Sequence, residues 1–395
     1  MDPLLRYRAE FPILSRTTYL VSNSLGAMPR AVPERLAEYA ERWGTEGVRA
    51  WAQGWWDMPV SVGDAIGPLL GAAPGETVMV PNVSLAQAAV ISALDFPASR
   101  DGLVTTALDF PSVRYVYDGL AKRLGARIVE VPSEDGIGIE MHALLDAIDE
   151  RTRLVAISHV LFRSAYIVDV AAVCRRAREV GALVMLDAFH SIGVMPVDVH
   201  AIGAHFLTGG VLKWLCGGPG ACFLWVHPEV RDRLVPGVTG WQAHARPFAF
   251  ELKLDPAVGP HRWLTGTPVI PALYAATEGP RIVRDAGIEA IRAKSRRQTA
   301  RLLELADARG YGVHAPRDPD RRGGTVAFSV PHAFEVSQAL LAREIVVDYR
   351  PEAGIRVAPH FYTDDAEIES AVQAIDEILE REEWRRYVGT RPVVT

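Results

Sequence analysis

The chain has 395 residues, of which 49% are hydrophobic and 23% are charged, and its formal net charge is −6. This composition supplies a large apolar core and excludes a disordered or collagen-like chain, while the acidic balance argues against nucleic-acid partners and anionic membranes. The three cysteines are too few, and odd in number, for a disulfide framework, which favours a reducing compartment.

The N-terminal residues predict no export signal. Met-Asp-Pro-Leu-Leu-Arg mixes acidic and basic side chains, and no basic stretch followed by an apolar one comes after it. No apolar run reaches the ~18 residues that a membrane-spanning helix needs. We therefore expect a cytoplasmic protein without membrane partners.

The predicted elements change character twice along the chain. Residues 1–56 form an N-terminal segment with a helical pattern over Glu34–Trp43. Residues 57–279 alternate short apolar runs with amphipathic stretches such as Val170–Val180. The apolar runs predict strands at Leu103–Thr106, Arg127–Val131, Leu154–Ser158, Leu183–Asp187, His205–Thr208 and Cys222–Val226. Such strands, separated by helices, indicate a large α/β domain with a mostly parallel sheet flanked by helices.

Residues 280–395 predict a smaller C-terminal α+β domain. A long arginine-rich helical pattern comes first, and a closing helix is expected at Asp365–Trp384. Between them the sequence predicts strands at Thr325–Val330, Ile345–Asp348 and Gly354–Val357. We expect the N-terminal segment to complete this small domain and to contribute to the active site.

Polar residues follow two neighbouring strands of the predicted sheet. Asp187 ends one strand with His190 just after it, and Lys213 follows the next within an apolar, glycine-rich stretch. Ligands of open parallel sheets bind beyond the carboxyl ends of the strands. A lysine that forms a Schiff base and a carboxylate that keeps a pyridine nitrogen protonated are what a pyridoxal phosphate enzyme requires. The structural alternatives are a helix-capping aspartate and a surface lysine.

The other lysines offer no comparable setting. Lys122 and Lys294 fall in arginine-rich helical patterns, and Lys253 falls in a loop-like stretch. Among the four lysines, only Lys213 has apolar and glycine-rich neighbours.

Short motifs along the chain connect this hypothesis to a family. They are Asn23-Ser24-Leu25-Gly26, Asp109-Phe110-Pro111-Ser112, Ser158-His159-Val160-Leu161-Phe162-Arg163-Ser164, Asp187-Ala188-Phe189-His190-Ser191, Gly240-Trp241, Arg246-Pro247-Phe248 and Gly266-Thr267-Pro268. In this order they resemble the motifs of fold-type I pyridoxal 5'-phosphate (PLP) enzymes of the class V aminotransferase group, and within it kynureninase and its relatives. The resemblance implies PLP as cofactor, an L-amino acid as substrate, and a homodimer with a shared active site.

The resemblance also implies roles around the cofactor ring. Lys213 would form the Schiff base and then act as the base at the substrate Cα. Asp187 would pair with the pyridine nitrogen, and His190 would face the O3′ of the cofactor. Phe110 would stack on the ring, although an ordinary core aromatic is the alternative.

Other matching positions are implied for the cofactor phosphate. Val83 and Ser84 would begin a helix whose N-terminal amides suit a phosphate dianion, with a simple serine cap as the alternative. Trp241 and Thr267 resemble residues that reach the phosphate from a second subunit.

Arg356 matches the position that binds the substrate α-carboxylate, a task suited to a bidentate guanidinium group. Asn23 would add a donor to the same carboxylate. Arg163 would support the cofactor region or form a structural ion pair. No metal site is expected.

The chain departs from the family pattern close to the predicted lysine. Leu212 stands where kynureninase usually has a tyrosine, and Leu161-Phe162 replaces an Asn-Tyr pair. Because acid–base residues differ while cofactor residues persist, the sequence favours a kynureninase-like lyase that acts by β-elimination or by C–S or Cβ–Cγ cleavage. The alternatives are a class V aminotransferase, a true kynureninase and a non-catalytic relative. Cys216 invites a desulfurase, but its apolar neighbours predict a buried thiol.

Overall fold

The computed structural model describes residues 2–390. The chain opens with short 3₁₀ segments, followed by β1 (Thr18–Tyr19), α1 (Val32–Glu46) and α2 (Met58–Ile66). Pro33 lies in the first turn of α1, where its missing N–H costs nothing, and Gly47 ends the helix with a φ of 56°. The helix predicted at Glu34–Trp43 is therefore confirmed and is longer by a few residues.

The large sheet has seven strands. They are β2 (Thr77–Val80), β3 (Gly102–Thr106), β4 (Arg127–Val131), β5 (Thr152–Ser158), β6 (Leu183–Asp187), β7 (Phe206–Gly210) and β8 (Cys222–Val226). Their order is β2-β8-β7-β6-β5-β3-β4. Strands β3 to β7 pair in parallel, whereas β8 is antiparallel to β7 and β2 is antiparallel to β8. The mostly parallel sheet is confirmed; only β2, a run of four residues, is absent from the predicted strands.

Helices follow most of these strands and cover the sheet. They are α3 (Val83–Ser92), α4 (Pro111–Leu124), α5 (Met141–Asp146), α6 (Val170–Val180), α7 (Val199–Ile202) and α8 (Pro228–Arg231). Alternate strand residues enter different apolar clusters: Val184 and Leu186 belong to one, and Met185 belongs to another. Both faces of the sheet are therefore buried at its centre, which explains why strands such as β6 are almost continuously apolar.

The C-terminal part contains α9 (Ile270–Ala275), α10 (Glu278–Ala286), α11 (Ile288–Asp307), β9 (Gly312–Val313), β10 (Val326–Ser329), α12 (Ala333–Ala342), β11 (Ile345–Val346), β12 (Asp348–Arg350), β13 (Gly354–Val357) and α13 (Asp365–Glu380). Four strands form an antiparallel sheet in the order β12-β13-β10-β9. This sheet has its own apolar cluster, which Leu20 joins from the N-terminal segment. The boundaries 1–56, 57–279 and 280–395 remain a prediction.

Two predicted elements in this region need correction. The strand expected at Ile345–Asp348 is divided, because β11 pairs with β1 whereas β12 pairs with β13. The helix expected at Asp365–Trp384 ends at Glu380 and is followed by a 3₁₀ turn over Glu383–Tyr387. Glu382, with a φ of 55°, interrupts the helix between them. Among the described residues, no helix combines the length and apolarity that crossing a bilayer requires.

Candidate active site

The carboxyl ends of the central strands open onto one cavity of about 260 Å³. Ser158 and Asp187 are the last residues of β5 and β6, and they are register partners. Lys213 comes shortly after β7, the next strand in the sheet. The residues that line the cavity are Asn23, Ser24, Val83, Phe110, Ser158, Val160, Phe162, Asp187, Phe189, His190, Leu212, Lys213, Arg350 and Arg356. Most of the predicted site residues are thus brought together.

The amine of Lys213 lies among aromatic groups. Its Nζ is 2.7 Å from Nε2 of His190, and it is 5.5 Å and 5.4 Å from the ring centroids of Phe110 and Phe189. Burial, followed by the positive charge of Arg356, lowers the pKa of Lys213. A larger neutral fraction makes this amine a better nucleophile and base than a solvated lysine.

His190 and Asp187 complete the polar centre of the cavity. Burial and the charge of Lys213 hold the pKa of His190 well below its usual range, so the neutral ring can accept a hydrogen bond from the lysine. Burial raises the pKa of Asp187, although the amide of Phe189, 2.9 Å from Oδ1, and the charge of Lys213 oppose this effect. A buried carboxylate therefore lies in the same cavity as a buried amine.

Arg356 lies in β13 and is almost fully buried, with 2% of its surface exposed. Its Nε donates to Oδ1 of Asp348 at 2.7 Å, its Nη2 donates to Oδ2 of the same carboxylate, and its Nη1 donates to the carbonyl of Phe162. The sequence reasoning missed Asp348. Asp348 and Arg356 are register partners of an antiparallel pair, so a β-hairpin interpretation of this stretch would have placed them together.

Asn23 reaches the cavity from the N-terminal segment. It is fully buried, and neither polar atom of its amide has a hydrogen-bond partner among the described residues. The same motif is fixed against the lysine loop, because the amide of Gly26 donates to the carbonyl of Leu212 at 2.7 Å. Buried amides rarely stay unpaired, so Asn23 is suited to a bound ligand.

The residues predicted to bind the cofactor phosphate do not all line the cavity of this one chain. Val83 is the first residue of α3 and lines the cavity, whereas Ser84 on the same turn does not. Trp241 and Thr267 also lie outside the lining. Trp241 is 42% exposed and stacks on Phe250 with ring centroids 5.8 Å apart. Their predicted contact with the cofactor of a second subunit remains a prediction.

The structure also gives the positions of Arg163, Cys216 and Lys294. Arg163 forms an ion pair with Glu352 at 2.5 Å and lies outside the cavity lining. Of its two predicted roles, this contact matches the structural ion pair. Cys216 is buried and its pKa is raised to about 12 by burial, which confirms the predicted buried thiol. Lys294, in the arginine-rich helix α11, is 2% exposed, and its amine meets Asp2 at 2.7 Å.

The side chains that line the cavity have the chemistry needed to hold pyridoxal phosphate. Lys213 supplies an amine of lowered pKa, Asp187 supplies a buried carboxylate, and Asn23 supplies an amide that lacks a partner. The described chain contains no group of three or more His, Cys, Asp or Glu side chains suited to a metal ion.

Comparison with known proteins gives a consistent result. The aminotransferase class-V family matches residues 18–366. The chain is 35% identical to a kynureninase from Pseudomonas fluorescens, with 97% of this chain and 94% of that protein covered. It is 32% identical to a kynureninase from Burkholderia pseudomallei, with 100% and 97% covered.

Solved structures show the same fold at lower sequence identity. A cysteine desulfurase from Thermococcus onnurineus NA1 superimposes with a TM-score of 0.85 at 22% identity, covering 96% of this chain and 99% of the other. A cystine C–S lyase superimposes with a TM-score of 0.83 at 20% identity, covering 92% and 98%. The predicted fold is therefore confirmed. The match over most of its length and the full-length kynureninase relatives show that this chain belongs to the aminotransferase class-V family, the group of PLP-dependent enzymes that its motifs predict.

Proposed function

We propose that this chain is a kynureninase-like lyase that cleaves a bond to Cβ of an L-α-amino acid. The observation that carries the proposal is the convergence of Lys213, Asp187 and Arg356 on one cavity. PLP, when bound, supplies an aldehyde that condenses with amines and a pyridine ring that withdraws electrons from the substrate Cα. The protein must then hold this group, orient the substrate and move protons.

Proton transfer is assigned to Lys213 and the groups beside it. Its lowered pKa leaves enough neutral amine near neutral pH to take the Cα proton. His190 accepts a hydrogen bond from this amine, which limits the directions in which Nζ can point. Asp187 would hold a proton at the pyridine nitrogen, because an ion pair offsets the cost of keeping its carboxylate charged in a buried position.

Substrate orientation is assigned to Arg356 and Asn23. A buried guanidinium can hold the α-carboxylate through two parallel hydrogen bonds. The unpartnered amide of Asn23 would add a further donor. Phe110, whose ring is 5.5 Å from the lysine amine, would cover one face of the reacting groups and exclude water from it.

The walls around the substrate side chain are largely apolar. Val160, Phe162 and Leu212 line the cavity, and two of these stand where the family pattern has hydroxyl groups. Apolar walls favour an aromatic or aliphatic side chain. L-kynurenine is the first candidate, because the kynureninase relatives match the full chain.

A cysteine S-conjugate is the second candidate, and the apolar walls favour it. Loss of a thiolate from Cβ requires no protonation of a carbonyl group, so the missing hydroxyls at Leu212 and Phe162 matter less. An arylthio group would also suit these walls.

The reaction is tested with the PLP-loaded protein, L-kynurenine and S-phenyl-L-cysteine. Kynurenine and water would give anthranilate and alanine, whereas S-phenylcysteine and water would give thiophenol, pyruvate and ammonia. We expect Lys213→Ala to abolish turnover and the absorption band that depends on a covalent link between lysine and PLP, while exposed Lys122→Ala leaves both unchanged. Turnover by Lys213→Ala would refute the proposal. A keto acid formed without cleavage would assign a transaminase, and no reaction at all would favour the non-catalytic alternative.

The proposal includes a homodimer whose sites are shared. Trp241 and its neighbours Phe248, Phe250 and Leu252 are 42%, 61%, 72% and 104% exposed, an apolar patch that a second copy would cover. Mixing Lys213→Ala with Trp241→Ala tests this arrangement, because a mixed dimer would regain one complete site. Activity that stays at the level of the separate variants would refute the shared site.

A further inference from the structure

We propose that Asp348 is a positioning residue that fixes the angle at which Arg356 presents its N–H groups to the substrate α-carboxylate. The inference rests on the proposed function, because it concerns the arginine to which carboxylate binding is assigned. Asp348 is the first residue of β12 and is fully buried, with 0% of its surface exposed. It faces Arg356 across the antiparallel pair of β12 and β13.

The hydrogen bonds of Arg356 leave one direction for a ligand. A guanidinium has five N–H donors. Asp348 engages the side of the group through Nε and Nη2, and the carbonyl of Phe162 engages Nη1. One N–H on each terminal nitrogen is left by these contacts. Because the side of the group faces Asp348, a carboxylate in the cavity would be bound at the end of the guanidinium.

The charges near Asp348 support the same role. Nη2 of Arg350 lies 3.3 Å from Oδ2 of Asp348, so one carboxylate is shared by two guanidinium groups. Without Asp348, the buried guanidinium of Arg356 and the half-buried guanidinium of Arg350 would lose the carboxylate that lies between them and would repel each other.

Charge and orientation make opposite predictions for Asp348→Asn. Removal of a negative charge raises the positive potential at Arg356, so charge alone predicts tighter binding of a carboxylate. An asparagine also places N–H donors against the guanidinium, which disrupts the pairing and releases the arginine into other rotamers. We expect orientation to dominate, because bidentate binding requires one angle of the planar group.

The test compares two ligands of the PLP-loaded protein that differ by the carboxylate alone. L-Alanine and ethylamine are titrated while the visible absorption band is followed. We expect Asp348→Asn to weaken L-alanine binding by about tenfold to a hundredfold and to leave ethylamine binding unchanged. Asp348→Glu keeps the charge but moves the carboxylate, and it should weaken L-alanine selectively as well; it carries the test if the asparagine variant does not fold.

The matched control is Asp376→Asn. Asp376 also pairs with an arginine, Arg309, at 2.6 Å, but it lies in α13 away from the cavity. This variant should bind both ligands as the wild type does. Unchanged or tighter L-alanine binding in Asp348→Asn, or an equal loss for ethylamine, would overturn the inference. Turnover of L-kynurenine or S-phenyl-L-cysteine by the wild type tests the proposed function separately.

Discussion

Gly26 is a position where the addition of a single methyl group should have a large effect on the active site. A Cβ added to this glycine would lie 2.1 Å from the carbonyl oxygen of Lys213 and 2.8 Å from the Cα of Cys216. Ordinary contact begins at 3.4 Å, so the overlap exceeds an ångström. Both obstacles are backbone atoms, which cannot move aside as the end of a flexible side chain can.

The effect of Gly26→Ala follows from this geometry. The amide of Gly26 already donates to the carbonyl of Leu212 at 2.7 Å, so relief of the overlap must move the lysine loop and lengthen this bond. Overpacking of this kind costs about 1–3 kcal/mol of stability. A displacement of ~1 Å at a reacting group costs activity on the order of a hundredfold. We therefore expect a modest loss of stability and a large loss of kcat.

Urea unfolding and steady-state kinetics of the PLP-loaded protein measure the two effects. Gly44→Ala is the matched control, because Gly44 lies inside α1 and a Cβ there meets nothing within 4 Å. This control should keep full activity and gain about 0.5–1 kcal/mol of stability from the better helix former. If Gly26→Ala retained wild-type kcat and wild-type stability, the close approach of the motif to the lysine loop would be refuted.

Three other predictions follow from the cavity. Arg356→Ala should raise KM about tenfold to a hundredfold for L-amino acids, since a charge-assisted hydrogen bond contributes about 1.5–3 kcal/mol; an unchanged KM in steady-state assays would reassign this arginine. Asn23→Leu should leave the apoprotein as stable as the wild type or more so in urea, because the unpartnered amide is removed, and yet weaken substrate binding; a large loss of apoprotein stability would contradict this. Burial lowers the pKa of Lys213 from 10.5, so the charged lysine destabilises the folded apoprotein at neutral pH and this penalty fades as the pH rises toward 10.5. Lys213→Met should therefore be more stable than the wild type at neutral pH, and the difference between the two urea midpoints should narrow with rising pH. A difference that widens with rising pH would mean that folding raises the pKa of Lys213 instead of lowering it.

The large domain could be predicted from the sequence because its signals are local. Strands β6 and β8 are largely apolar runs of five residues, and β7 begins with a short apolar stretch, so composition marks these buried strands. The positions of Asp187 and Lys213 follow from the same pattern, because the carboxyl ends of parallel strands meet at one edge of the sheet. The chemistry of a lysine beside a carboxylate could therefore be predicted without information about distant parts of the chain.

The surroundings of these two residues depended on contacts between distant parts of the chain. Periodicity reports which face of an element is apolar, but it does not report what lies across from it in space. Gly26 reaches the lysine loop, and Asn23 reaches the cavity, from nearly two hundred residues away along the chain. The buried ion pair of Asp348 with Arg356 depends on strand register, because a shift of one residue would turn one of the two side chains to the other face of the sheet. The sequence by itself therefore determined the fold class and the reacting pair. Only the tertiary structure decided how the carboxylate-binding arginine is held and how closely the N-terminal motif approaches the lysine, because both depend on packing between segments that carry no local signal of each other.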